Sequence, residues 1–397
     1  MKILWFASQL IESGGGEKFL FEIAKNLKKN GHEIQIVCDV LDEKNIYAGK
    51  YDTSEVINFN LNYKSSKNYL KKALKKITGV PKLYSQIKLF DPDLIICQSE
   101  FDSIRLNLVT FFNKIPMRVF VFGQMFQFKN DISKFSYIFS KKLKKIIDLQ
   151  PDYISRLGKR PSLFKTPMTF ISNEFISLLK YWSIRKSDKV FVLSNQVKRE
   201  VGLLYGIPAS VLRGAISKTD INHNEILNPK PIAKRPVFIS CCRLDEKKRV
   251  DVIIKAFIKS KIEADLVIIG DGPEMSALKE IAHESSKYKA IKFLGRVSDE
   301  EKDLNLQLSD VFISMDNSDF VISGIEAIAR GKRAILSNHF DIDSFSNKIT
   351  GLKLINPSIQ SLSEEFDNIY DLESPSELNI KALTEITWEF VSNTILD

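Results

Sequence analysis

MKILWFASQLIESGGGEKFLFEIAKNLKKNGHEIQIVC, residues 1–38, holds the pattern from which the fold is read. Ile3 to Ala7 is apolar at every position, as expected of a strand covered on both faces. A glycine turn follows at Gly14, Gly15 and Gly16. Phe19, Leu20, Ile23, Ala24 and Leu27 then recur at helical spacing, and Gly31 ends the helix. Glu33 to Cys38 is the next strand. Strand, glycine loop, helix and strand in that order open a doubly wound sheet.

Further strands are expected at Leu94 to Cys97, Arg118 to Phe122 and Val190 to Leu193. Asn222 to Pro236 is polar and holds Pro229, Pro231 and Pro236, which reads as an interdomain linker. Beyond it the pattern restarts. Val237 to Cys242 is a strand and Val250 to Ile258 an amphipathic helix; strands follow at Leu266 to Ile269, Ile291 to Leu294, Val311 to Ser314 and Ala334 to Leu336. Strands alternating with helices in both halves give an α/β protein of two Rossmann-like parallel-sheet domains. The expected boundaries are 1–221 for the first domain, 222–236 for the linker and 237–373 for the second domain. A C-terminal helix at 374–397 completes the chain.

The length of 397 residues suits two domains of roughly 150–200 residues each. With 44% hydrophobic and 27% charged residues the composition is that of a folded protein. Met1 to Leu10 does not read as a signal peptide, and no run of 18 apolar residues follows. Cys38, Cys97, Cys241 and Cys242 fall in apolar, strand-like runs without zinc spacing. They read as buried free thiols of a reducing cytosol, so a cytoplasmic location is expected. The net charge of +9 points to an anionic partner without naming one.

Three stretches can carry chemistry. In Ser13-Gly14-Gly15-Gly16-Glu17, glycines at a helix start let backbone N–H groups approach an anion; a tight turn without a ligand is the other reading. Arg243-Leu244-Asp245-Glu246-Lys247-Lys248-Arg249 follows the first strand of the second half, and ligands of doubly wound sheets bind beyond the carboxyl ends of strands. Cations there neutralise a diphosphate, Arg243 bidentately; a solvated charged loop is the alternative. The third runs from Ser318-Asp319-Phe320 through Glu326-Ala327 to Gly331. A helix starting near Ile322 puts Glu326 one turn in, where its carboxylate can accept from two ribose hydroxyls.

These pieces, in order, resemble the GT-B glycosyltransferases of the retaining group with a Glu-x7-Glu signature. The matching residues are Gly14-Gly15-x-Glu17, Gly31-His32-Glu33, Val192-Leu193-Ser194-Asn195 and Arg243-Leu244-x3-Lys248. Gly270-Asp271-Gly272-Pro273, Phe293-Leu294-Gly295-Arg296-Val297 and Glu326-Ala327-x3-Gly331 complete the set. The resemblance implies two domains facing a central cleft that takes a nucleotide-diphosphate sugar. Arg243 and Lys248 would hold the diphosphate, Glu326 the ribose and the backbone near Arg296 and Val297 the base, while Gly15 and Gly16 would close over the phosphates. No metal or other cofactor is implied, because the two cations neutralise the leaving group. The tail helix would pack back on the first domain.

The departures lie at the sugar end. Ser318 stands eight residues before Glu326, where the family has its first glutamate. Asp316 or Asp319 is expected to take over its contact beside Phe320, and Val321 replaces a glycine. The family's first-domain histidine is missing: Gln98 and Gly123-Gln124 occupy the expected strand ends.

Between Ile57 and Phe90 there are eight lysines and no acidic residue. Residues 69–77 and 137–147 read as basic amphipathic helices, suited to an anionic membrane surface and hence a lipid-linked acceptor; a merely solvated basic face is the other reading. Nucleic acid is disfavoured, since aromatics cluster, as at Phe111-Phe112, instead of interleaving with cations. The expected function is retaining transfer of a sugar to a glycan or lipid-linked acceptor in cell-surface polysaccharide or glycolipid assembly, peripherally on the inner face of the cell membrane. The alternative is a catalytically silent partner or glycan-binding subunit.

Overall fold

The computed structural model describes residues 1–11, 14–46, 51–61, 69–111, 113–122, 145, 178–316, 321–338 and 348–397, with backbone alone over 69–78. It divides into two compact units. The described residues up to Arg213 form the first together with Trp388–Asp397, and those of Gly214–Thr387 form the second.

The first unit runs β1 (Lys2–Leu10), α1 (Gly15–Lys29), β2 (Glu33–Leu41), β3 (Ile57–Asn58), α2 (Tyr69–Phe90), β4 (Leu94–Cys97) and α3 (Glu100–Val109). It continues with β5 (Met117–Val121), β6 (Lys189–Val192), α4 (Asn195–Tyr205) and β7 (Ser210–Val211). The sheet order is β3-β2-β1-β4-β5-β6-β7, parallel throughout. Phe120 anchors the core, stacked on Trp5 at 5.8 Å and on Phe191 at 5.3 Å, with Phe19 of α1 edge-on at 5.0 Å. Burying each such ring stabilises the fold by about 1.5–3 kcal/mol.

The second unit runs α5 (His223–Leu227), β8 (Val237–Cys241), α6 (Val250–Lys259), β9 (Asp265–Ile269), α7 (Met275–His283), β10 (Ile291–Gly295) and α8 (Asp299–Leu308). Then come β11 (Val311–Ser314), α9 (Ile322–Ala329), β12 (Arg333–Ser337), β13 (Leu352–Ile355), α10 (Ile359–Asp367) and α11 (Glu377–Thr384). Its sheet is also parallel, in the order β10-β9-β8-β11-β12-β13. The expected α/β class with two parallel sheets is therefore present. Residues 222–236, read as a linker from composition, lie in the second unit and begin with α5.

The tail forms two helices where periodicity suggested one. Ile386 and Thr387 leave helical geometry because the Ile386 carbonyl accepts from the Ile216 amide at 3.1 Å. The second tail helix, α12 (Trp388–Leu396), packs on α1 within the first unit, with Trp388 edge-on to Phe19 at 5.9 Å. Strands β3, β7 and β13 went unread: the first two are two residues long, and β13 is an edge strand whose Lys353 faces water. Among the described residues no helix is long and apolar enough to cross a membrane.

Candidate functional site

In each sheet the strand order turns back beside its first strand, between β1 and β4 and between β8 and β11. Ligands of such sheets bind beyond the carboxyl ends at that point. In the second unit the loop leaving β8 is fixed there by backbone packing. A Cβ added to Gly270, at φ +134°, would lie 1.8 Å from the Cys242 carbonyl oxygen, and one added to Gly272 would lie 2.3 Å from that of Leu244. The Leu244 amide donates to Asp271 O at 3.0 Å and the Glu274 amide to Leu244 O at 3.0 Å; Gly270 N donates to Gly295 O at 2.8 Å. The Gly270–Pro273 motif thus ties together the ends of β8, β9 and β10.

Leu244 is fully buried, so the polar residues around it are carried at a fixed place. Asp245 accepts from the Lys247 amide at 3.1 Å and caps a single 3-10 turn, Glu246–Lys248, which closes on Arg249 at φ +50°. That turn aims Lys248 at Asp316, two residues past β11, and the two side chains form an ion pair. The carboxylate is 2% exposed and the lysine side chain 28%. Burial is the largest single influence and lowers the Lys248 pKa, but the charge and hydrogen bond of Asp316, together with Cys242 and Asp245, outweigh it and hold the ammonium above the usual lysine value. Arg243 stands further out, 55% exposed, with Nε 4.0 Å from Asp245.

Glu326 lies one turn into α9 with its side chain 6% exposed, bonded at 3.1 Å to Nζ of Lys302 from α8. Lys302 also lies 3.6 Å from Asp299. Burial opposes its charge, yet Glu326 and Asp299 raise its pKa above the ordinary value. A second pair, Arg330 to both oxygens of Asp303 at 2.9 and 3.0 Å, clamps α9 to α8. Gly331 ends α9 at φ +72°, where a Cβ would lie 2.6 Å from Glu225 O. Arg296 and Val297 follow β10 directly after Gly295 at φ +69°. They lead into the Ser298–Glu301 capping box that starts α8. The loop expected to face a base therefore continues into the helix that supplies Lys302.

The two ion pairs flank the end of one strand. The Cys242 thiol, pushed up to about 12 by burial, feels Lys248 and Asp316, whereas that of Cys241, pushed up to about 11, feels Lys302 and Glu326. Both cysteines are partly exposed, because β8 ends at Cys241; Cys38 and Cys97 are buried as expected. Arg243, Lys248, Glu326, Arg296 and Val297 thus all belong to the carboxyl edge of the second sheet. Ser318, Asp319 and Phe320 lie outside the described residues. Among the described residues no His, Cys, Asp or Glu set is grouped to hold a metal ion.

In the first unit α1 begins at Gly15, after extended Gly14, with Glu17 in its first turn and no side-chain cap. Gln98, at the end of β4, spans the turn. Its Oε1 accepts from Trp5 Nε1 at 2.8 Å and its Nε2 donates to the Gly16 carbonyl at 2.9 Å. Nearby, Asp102 accepts from the Ser8 amide at 3.3 Å, and Arg105 pairs with Asp39, which is fully buried. Lys302, Arg330 and the bridging role of Gln98 were not visible in sequence. The segment 69–77 forms the start of α2; Gly123-Gln124 and, apart from Lys145, residues 137–147 lie outside the described residues.

The family model of Glycosyltransferase Family 4 matches residues 13–213, just over half of the chain, and that of Glycosyl transferases group 1 matches residues 222–382. A GDP-mannose-dependent alpha-(1-6)-phosphatidylinositol monomannoside mannosyltransferase of Mycobacterium tuberculosis is 30% identical over 118 residues, 27% of this chain and 31% of the relative. The alpha-monoglucosyldiacylglycerol synthase of Streptococcus pneumoniae is 28% identical over 118 residues, 28% of this chain and 27% of the relative. The matched stretch thus spans under a third of each relative's length. Among solved structures, Anabaena HepE in complex with UDP has the same fold, with a TM-score of 0.68 at 14% identity over 100% of this chain and 98% of that one.

Proposed function

This chain belongs to Glycosyltransferase Family 4, and from that premise we propose that it moves a sugar from a nucleotide-diphosphate donor to a glycan or lipid-linked acceptor, with retention at the anomeric carbon. The observation that carries the reading is the set of Arg243, Lys248 and Glu326 on loops and a helix at the carboxyl edge of one parallel sheet. Arg243 and Lys248 stabilise the charge that develops on the departing diphosphate, with no metal in that role, and preorganised cations at such a place act without reorganising during the reaction. Glu326, held by Lys302, accepts the ribose hydroxyls. Arg296 and Val297 offer backbone to the base, and Gly15 and Gly16 offer amides to the phosphates. Asp319, with Ser318 and Phe320, serves the sugar.

A lipid-linked acceptor is supported by the names of both relatives, one acting on a phosphatidylinositol mannoside and the other named for a glucosyldiacylglycerol. The lysine-rich sequence of α2 supports peripheral binding to an anionic membrane face. Assembly of a cell-surface polysaccharide or glycolipid is the setting this chemistry fits.

The test is incubation of purified protein with UDP- and GDP-sugars, with and without lipid-linked acceptors. Release of nucleoside diphosphate and the anomeric configuration of the product are the readouts. Transfer with retention is expected; a protein that neither binds nor cleaves any nucleotide sugar sinks the reading. Ser318 in place of the family's first glutamate favours a second reading, a catalytically silent partner or glycan-binding subunit. Nucleotide binding without any turnover would select it.

A further inference from the structure

Asp316 holds a cation. Its carboxylate is 2% exposed, at the end of the strand beside β8, and is paired with Lys248, the lysine expected at a diphosphate. Lys248 hangs from a 3-10 turn fixed by Asp245 and by the buried Leu244, so the pairing is built into the loop. The side chain of Lys248 keeps 28% of its surface open while the carboxylate beneath it is closed off. A cation in that state is accessible to a second anion, but its charge is already largely balanced.

We infer that Asp316 tunes the anion affinity of this edge: it positions the Lys248 ammonium and cancels much of its charge, so that a bound diphosphate is gripped loosely enough to leave. The inference rests on the reading of this edge as a diphosphate site. Arg243, 55% exposed on the same loop with Asp245 4.0 Å from its Nε, is the second cation that an incoming diphosphate meets. The raised pKa of Lys248 agrees with a charged, paired ammonium throughout the neutral range.

The experiment is calorimetric titration of the full chain with UDP, GDP and inorganic pyrophosphate, for the wild type, Arg243→Gln and Asp316→Asn. Asp316→Asn keeps the shape and removes the charge, and is expected to bind pyrophosphate about tenfold more tightly, with a steeper dependence on salt. Asp316→Ser is the second variant should the amide pack badly. The double variant Lys248→Met with Asp316→Asn is expected to lose the gain, since the freed ammonium is its source. If wild-type binding is weakened by Arg243→Gln while Asp316→Asn binds equally or less tightly, the inference is overturned alone. A gain retained in the double variant overturns it too. If none of the three probes binds the wild type, the diphosphate reading fails and takes the inference with it.

Discussion

At the carboxyl end of the first sheet Asp39 and Asp102 are drawn inside the fold, whereas at the carboxyl end of the second Lys248 and Lys302 stand at the edge. Asp39 is fully buried and paired with Arg105, whose guanidinium lies 5.0 Å over the Phe6 ring, and Asp102 is 4% exposed. What that unit offers at its helix start is a glycine turn steadied by Gln98, with Glu17 in the first helical turn. In the second unit two lysine pairs at this edge bury the carboxylate and leave the lysine partly open: Lys248 over Asp316 and Lys302 against Glu326. Breaking a fully buried pair costs about 3–5 kcal/mol, so the first arrangement is a frame. A half-open pair can trade one anion for another at lower cost, so the second arrangement is suited to a ligand.

The largest effect expected from this contrast concerns glycine. Gly270→Ala forces a Cβ against the Cys242 carbonyl oxygen at a backbone angle that side chains avoid. It should destabilise the chain by about 3 kcal/mol or more. Among the described residues a Cβ at Gly16 meets Gln98 Nε2 at 3.7 Å, so Gly16→Ala should shift stability by less than about 1 kcal/mol. Urea unfolding of both variants decides it; equal midpoints would remove backbone packing as the reason the second edge is rigid.

Lys248→Met comes next. Turnover should fall about tenfold or more, the scale of losing one charge-stabilising donor. Stability should also fall, by about 1–3 kcal/mol, because Asp316 is left without its partner. Adding Asp316→Asn should restore the melting temperature but not the rate. Recovery of both together would mean that Lys248 acts only on the fold.

Lys302→Met should be milder. Glu326 stays in place through α9 but loses the bond at Oε2 that orients it, so nucleotide affinity should drop about fivefold, one hydrogen bond's worth. The sign of its pH dependence follows from the raised Lys302 pKa. The pair's stabilisation is complete below the ordinary lysine pKa, near 10.4, and is lost as pH rises through the higher folded value. Between pH 6 and 9 Lys302 is charged both folded and unfolded, so its own titration adds no slope there; loss of the pair's stabilisation in the wild type is expected only above the ordinary lysine pKa, and loss well below it would contradict the pairing.

These residues also show where sequence reading stops. Ile3 to Ala7 and Val237 to Cys242 announce strands because both faces of a parallel sheet are covered, so every position must be apolar. Gly270 and Gly272 were legible as a motif, but their cause, close approach to Cys242 and Leu244, needed coordinates. Arg243, Lys248 and Glu326 are legible in the sequence as candidates because each sits at a fixed offset from a strand or helix. Lys302 is not, since it meets Glu326 from another helix, 24 residues away, with no local pattern to mark it. Gln98 read as a missing histidine; only the bonds to Trp5 and Gly16 show what the amide does instead.

The smallest effect belongs to Asp102 and tests whether the first unit's charges are indeed only framing. Asp102 lies in the first turn of α3, where a carboxylate gains about 0.3–1 kcal/mol from the helix dipole. Burial nevertheless raises its pKa, against the hydrogen bonds from Ser8 and Ser99 and the nearby Arg105. The net direction means that desolvation outweighs those gains. A carboxyl whose folded pKa is raised contributes its stability below the ordinary value and loses it as pH rises through the folded one. Asp102→Asn, which can still accept from Ser8, should thus be more stable than the wild type at pH 7, by less than about 1 kcal/mol. The difference should vanish below about pH 4, where the aspartate is neutral in both states. If the variant is instead less stable at pH 7, the ionised carboxylate is supporting Arg105, and the first unit's charges form one network with more than a structural part to play.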